Sequence, residues 1–313
     1  MIQAALLLAA AWLLGGCSSS AVRLMPTPAL FTSGDPGLIE AGADAERDTT
    51  IKVLYATNRL PEGPPDSRRY TRTRSDQLRL GVATLRVGDG TKTWEALSAL
   101  STSVVEGERP EITLQATRDL LIYMHGANTD FDRAAAQAAQ FQHFLGRDAV
   151  VMVFAWPSAG SPLRYGRDVA TARRSVPAFA RLLELLSAHT RGSHVNVLAY
   201  SAGALIASPG LARAAGEVVT SADPDRLRLG EIYYAAPDID FPVFVDNLPR
   251  YQRVSSGRQE LDVLLKLRFH APPPARGLEP NSNQIELAFW TFPSDYAERL
   301  PAIVRALSNG RNT

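Results

Sequence analysis

Apolar and polar positions follow two different periods along this chain. Ile51-Lys52-Val53-Leu54-Tyr55-Ala56-Thr57 carries β-branched and aromatic residues at strand spacing. Leu78, Leu80, Val82 and Leu85 alternate with polar or small neighbours up to Val87, which predicts a second strand antiparallel to the first. The polar stretch 60–76, rich in Pro and Arg, reads as a loop, and 88–117 as loop with short pieces. From Asp119 a new rhythm begins. Leu120 to Met124, Ala149 to Ala155, His194 to Tyr200 and Leu229 to Ala235 are short apolar runs of the kind buried on both faces of a parallel sheet. Between them Phe131, Ala134, Ala135, Ala138, Phe141 and Leu145 recur at helical spacing behind a cap at Asn128, Thr129 or Asp130. Val176, Phe179, Leu183 and Leu186 give a second helix, and a small-residue helix starts at Ala202. Beyond these come a weak strand ending at Arg253 to Ser255, a helix near Glu260 to Leu267, a strand over Ile285 to Trp290 and a closing helix on Tyr296, Leu300, Ile303 and Leu307. Strands alternating with helices predict an α/β fold, with a mostly parallel central sheet covered by helices on both faces. One domain over 51–313 suffices.

Composition narrows the class without naming a reaction. Hydrophobic residues are 45% and charged residues 21% of the 313, with a formal net charge of +1, so nothing in the balance points to nucleic acid. The chain has a single cysteine, Cys17, so no intrachain disulfide can form, and no Cys/His cluster has metal-ligand spacing.

That cysteine closes the first segment. Ala4 to Leu14 is an apolar run shorter than the roughly 20 residues of a comfortable bilayer span, which suits the core of a secretory signal. Leu14-Gly15-Gly16-Cys17 resembles the lipobox of bacterial lipoproteins. The resemblance implies cleavage of a signal peptide at 1–16 and lipidation of Cys17, followed by a tether over 17–50 that begins with Ser18, Ser19 and Ser20. An uncleaved anchor is the alternative. With Ser18 rather than Asp at that place, the resemblance to other lipoproteins implies, in a Gram-negative cell, the outer membrane, facing the periplasm, with the membrane itself as partner through the lipid.

Val195 to Tyr200 runs straight into Ser201-Ala202-Gly203. This resembles the Gly-x-Ser-x-Gly nucleophile elbow of the alpha/beta-hydrolase superfamily, with Ala199 in place of the first glycine. A sharp strand-to-helix turn needs small residues two before and two after the serine. Met124-His125-Gly126-Ala127, at the end of an earlier strand, lies where the superfamily places its oxyanion loop. Gly126 or Ala127 is then one oxyanion donor and Ala202 the other, while His125 reads as a structural loop histidine. Six short blocks in order resemble a bacterial family of uncharacterised alpha/beta hydrolases: Leu24 to Pro28, Tyr55 to Arg59, His125 to Asn128, Phe154 to Pro157, Tyr200 to Gly203 and Ala235 to Asp240. The resemblance implies the fold and an ester-hydrolase activity, and no substrate.

Ser201 as nucleophile needs a base and an orienting acid, in the chain order serine, acid, histidine. Parallel winding puts His143 and His189, late in their helices, and His194, at the start of a strand, on the edge opposite the serine. His270 alone follows it. Either His270 reaches the site on the Pro272-Pro273-Pro274 segment, or the triad is incomplete. The acid is Asp238, closest to its strand's end, with Glu260 and Asp262 as alternatives. Two functions follow: a serine esterase acting on an ester, lipid or acylated envelope component, or an inactive hydrolase fold kept as a binding or scaffolding lipoprotein. Neither implies a cofactor or metal, and the oligomeric state stays open.

Overall fold

A computed structural model of the protein describes residues 22–24, 49–87, 96–104, 119–144, 150–160, 162–189, 194–219 and 228–252. The four apolar runs become parallel strands: β5 (Leu120–Met124), β6 (Val150–Phe154), β7 (Val195–Tyr200) and β8 (Leu229–Ala235). A fifth parallel strand, β2 (Thr50–Glu62), pairs with β6 through Leu54↔Met152 and Ala56↔Phe154. On its other side β2 pairs antiparallel with β3 (Arg69–Val87), as the alternation at 78–87 predicts, and the sheet continues through β4 (Ala96–Val104) to the two-residue β1 (Val22–Arg23). Among the described residues the order is β1-β4-β3-β2-β6-β5-β7-β8.

Period-two alternation divides the core between the faces. Tyr123, Val151, Val153 and Leu198 face α1 (Phe131–Phe144), whose Phe131, Ala134, Ala135 and Ala138 pack against them. Ile122, Met124, Met152, Phe154, Val197 and Ala199 face the opposite way, toward α2 (Tyr165–His189), α3 (Ala204–Val219) and α4 (Phe241–Gln252). Burying one large aliphatic or aromatic side chain contributes roughly 1.5–3 kcal/mol, so this two-faced core is what fixes the strand register. Asp130 caps α1, its carboxylate accepting the Arg133 amide at 2.9 Å.

Three stretches differ from the pattern-based expectation. The segment 60–76 is not a loop. β2 and β3 run on beyond the sheet as a two-stranded ribbon, with Arg59↔Arg74, Pro61↔Tyr70 and Glu62↔Arg69 paired and the register shifting twice. Tyr70 packs on Phe131 of α1, but most of the ribbon's other side chains are polar and exposed, so the apolar alternation that signals a strand is missing. Within 88–117 lies the strand β4. Its Ser98, Ser101, Thr102 and Ser103 dilute the hydrophobic signal, because it sits near the sheet's end with little apolar surface to cover. The segment after β7 begins as a single 3-10 turn, Ser201–Gly203, before α3. The expected elements after Gln252 lie outside the described residues, as do Cys17, Glu260, Asp262 and His270.

Candidate active site

Topology selects the place. From β5 the chain crosses by α1 to β6 on one side, and from β6 it crosses by α2 over the opposite face to β7 on the other side. The winding therefore reverses between β5 and β7, and open α/β sheets bind ligands outside the carboxyl ends of the strands at such a switch point. Residues 125–129 leave β5 there, and Tyr200 to Gly203 leave β7.

The turn after β7 is strained. Tyr200 is still extended, Ser201 has φ 50°, and by Ala204 the chain is right-handed helical, its amide donating to the Ser201 and Ala202 carbonyls. A left-handed conformation costs an L-residue roughly 1–2 kcal/mol, and such strain persists only where surrounding structure enforces it. Close approach of the two loops enforces it here. A methyl group on Gly203 would lie 2.8 Å from the Met124 carbonyl oxygen and 3.0 Å from that of His125. On Gly126 it would lie 3.0 Å from the Ser201 Cβ and 3.1 Å from the Tyr200 ring. Gly203→Ala is accordingly expected to cost about 1–3 kcal/mol, because rigid backbone carbonyls cannot yield as a side-chain tip can. A shift in the urea midpoint measures this, and an unchanged midpoint contradicts the tight fit.

Asp238 closes the third side. It follows β8, and its backbone amide donates to the Ser201 carbonyl at 3.1 Å. Partial burial, then the neighbouring Asp240, pushes its carboxyl pKa up. Asp240 itself pairs with Arg173 of α2 at 3.7 Å. The structure thus brings Ser201, Ala202, Gly126, Ala127 and Asp238 to one edge.

His125 is fully buried and stacks on Trp156, with ring centroids 5.1 Å apart and planes within 7°. Its Nδ1–H donates to the Gly126 carbonyl at 2.7 Å, while the Trp156 indole N–H donates to its own carbonyl at 2.8 Å. Burial, reinforced by the Arg59 cation, lowers its pKa to about 3, so it is neutral at pH 7. The loop-histidine reading holds, and Trp156, itself fully buried, belongs to the core. His143 and His189 lie in the last turn of α1 and at the end of α2, and His194 sits 3.4 Å from Asp119 at the edge where β5 begins.

Two residues that carry this loop were not singled out by sequence reasoning. Asp168, in the first turn of α2, is buried and accepts the Asn128 amide at 3.0 Å, the Ser158 hydroxyl at 2.8 Å and the Ala159 amide. The Ser158 hydroxyl oxygen in turn accepts the Thr129 amide at 3.2 Å. Arg59, fully buried at the end of β2, donates to the carbonyls of Thr71, Thr129 and Ala155 at 3.3, 2.8 and 3.2 Å. Between them they tie the loops after β5 and β6 into one unit. Three consecutive polar residues, Thr57-Asn58-Arg59, directly after the run Val53 to Ala56 of β2 were the available signal for Arg59. An acid in a helix's first turn ordinarily reads as an exposed dipole partner, which hides Asp168. Asp168→Asn turns one acceptor oxygen into a donor facing donors. An expected loss of about 2–3 kcal/mol should appear in thermal unfolding, and full wild-type stability contradicts the clamp.

A strained serine at the switch point of a mostly parallel sheet, on a strand-turn-helix beside a glycine loop, defines an alpha/beta hydrolase. The chain belongs to the family described as alpha/beta hydrolase of unknown function (DUF900), whose model matches residues 106–268, just over half of the chain. No curated protein matches it.

Proposed function

We propose that the protein is a serine hydrolase of esterase type, acting on an ester, lipid or acylated component of the bacterial envelope and held there by a lipid on Cys17. One observation carries the reading: Ser201 is forced to φ 50° between a parallel strand and a helix, against Gly126 of the neighbouring loop. The hydroxyl attacks the ester carbonyl. The amides of Ala202 and of Gly126 or Ala127 stabilise the oxyanion, those of Asn128 and Thr129 being committed to Asp168 and Ser158. One such donor contributes roughly 3–4 kcal/mol to the barrier reduction. Asp238, or Glu260 or Asp262, orients the base. With His125 sequestered and the other histidines before Ser201 at the far edge, the base falls to His270. The position of the four described histidines, none of them beside Ser201, also supports the second reading, a binding or scaffolding lipoprotein on the same fold. A fluorophosphonate probe decides between them: labelling of the wild type that vanishes in Ser201→Ala and depends on His270 is expected, and a wild type that never labels moves the assignment to the second. Palmitate incorporation that is equal in wild type and Cys17→Ser would end the anchor.

A further inference from the structure

Large apolar side chains exposed one at a time are ordinary on protein surfaces, but their concentration at one edge is not. Among the described residues six large hydrophobic side chains are exposed, and five of them stand at the carboxyl edge of the parallel strands. Tyr200 immediately precedes Ser201. Leu163 and Tyr165 follow β6, Val243 opens α4 after β8, and Leu60 lies past the level at which β6 ends. Leu163 is 97% exposed, while the other four are 42% to 45% exposed. Leu163 sits on a single 3-10 turn, Pro162–Arg164, and is followed by exposed Arg164 and Arg167. The one acid of that helix start, Asp168, is buried and turned inward to the loop clamp. The turn therefore shows water an apolar tip, a tyrosine and two cations that no acid among the described residues pairs.

We infer that this edge docks on an anionic lipid bilayer, with Leu163 entering the acyl boundary, Tyr165 and Tyr200 at headgroup level, and Arg164 and Arg167 on lipid phosphates. At the 162–167 turn charge complementarity selects the occupant: a leucine followed by Arg164, Tyr165 and Arg167 matches an apolar interior under an anionic, amphipathic rim. The inference deepens the hydrolase reading, on which its catalytic half rests, by naming the substrate class as acyl esters of membrane lipids delivered at Ser201. The docking half stands without catalysis.

The test separates the two. In the full chain carrying Cys17→Ser and Ser201→Ala, an environment-sensitive NBD label is placed on Leu163→Cys or, at the far end of α2, on exposed Ala188→Cys. Vesicles of phosphatidylethanolamine and phosphatidylglycerol are then titrated in. The label at 163 is expected to brighten and shift to the blue while that at 188 does not, and Arg164→Glu with Arg167→Glu should weaken the response at least about tenfold. Equal responses at both positions, silence at 163, or a shift that follows protein concentration without vesicles overturns the docking. With Ser201 intact, Leu163→Asp is expected to lower hydrolysis of a vesicle-borne ester relative to a soluble short-chain ester by about tenfold, and an unchanged ratio overturns the substrate class. Absence of all hydrolysis alongside a responding 163 label removes the hydrolase reading and leaves the docking intact.

Discussion

Ser201→Ala and Ser201→Gly are expected to lower turnover of a p-nitrophenyl ester alike, by about 10⁴-fold or more, yet to differ in stability. On the proposed mechanism both lack the attacking oxygen, and the residual rate over water comes from binding and the oxyanion donors alone. The backbone separates them. Residue 201 is held at φ 50°, where any Cβ opposes the preceding and following peptide units. Alanine keeps that Cβ and its cost of roughly 1–2 kcal/mol. Glycine relieves it, while giving back about 0.4–1 kcal/mol through the larger freedom of its unfolded chain. The glycine variant should therefore be more stable than the alanine one by about 0.5–1 kcal/mol, read as a higher urea midpoint. Equal midpoints would mean the turn is not strained at this residue. Residual ester turnover within tenfold of wild type in either variant would remove Ser201 from the chemistry.

How far the sequence reaches is set by which physical quantity each pattern encodes. Strands β5 to β8 and helix α1 are legible because burial on both faces of the sheet, or on one face of a helix, prints apolar residues at a fixed period. The turn at Ser201 is legible for a second reason: a close approach demands small residues, and Gly203 stands where a methyl would meet the carbonyls of β5's end. The ribbon at 60–76 and strand β4 are not, because backbone pairing there proceeds with few large apolar residues facing the core, Tyr70 and Leu97 among them. Nor is the clamp. Arg59 and Asp168 are buried by contacts with carbonyls and amides of residues up to 96 and 40 positions away, and side-chain-to-backbone bonds of that range leave no spacing rule in the sequence. Sequence order could rank histidines by edge, but it could not show that the His125 ring is sealed between Trp156 and the loop's own carbonyl.

That sealed ring predicts an acid-sensitive fold. The His125 pKa is lowered to about 3 by burial first and the Arg59 cation second, against an ordinary value of 6.5 in the unfolded chain. Between pH 6.5 and 3 the unfolded state therefore holds a proton that the folded state refuses. Stability rises with pH wherever the unfolded state binds more protons, so the contribution is complete above 6.5 and drains away as pH falls toward 3. The slope is about 1.4 kcal/mol per pH unit, which accumulates to roughly 3 kcal/mol by pH 4. Asp132 and Asp238 act in the opposite sense, their raised carboxyl pKa values favouring the folded state as protons are taken up below their own folded values. Wild type alone would confound the two effects, and His125→Phe isolates the first. A phenyl ring keeps the stacking surface toward Trp156, gives up the 2.7 Å hydrogen bond to the Gly126 carbonyl at every pH, and has no proton to exchange. Its stability at pH 7 should fall by about 1–2 kcal/mol. From pH 7 to 4, however, it should lose roughly 3 kcal/mol less than wild type, so the two urea midpoints converge or cross as the solution is acidified. Parallel pH profiles would mean that the ring takes up its proton as readily inside the fold as outside, which the stacked, carbonyl-bound geometry forbids.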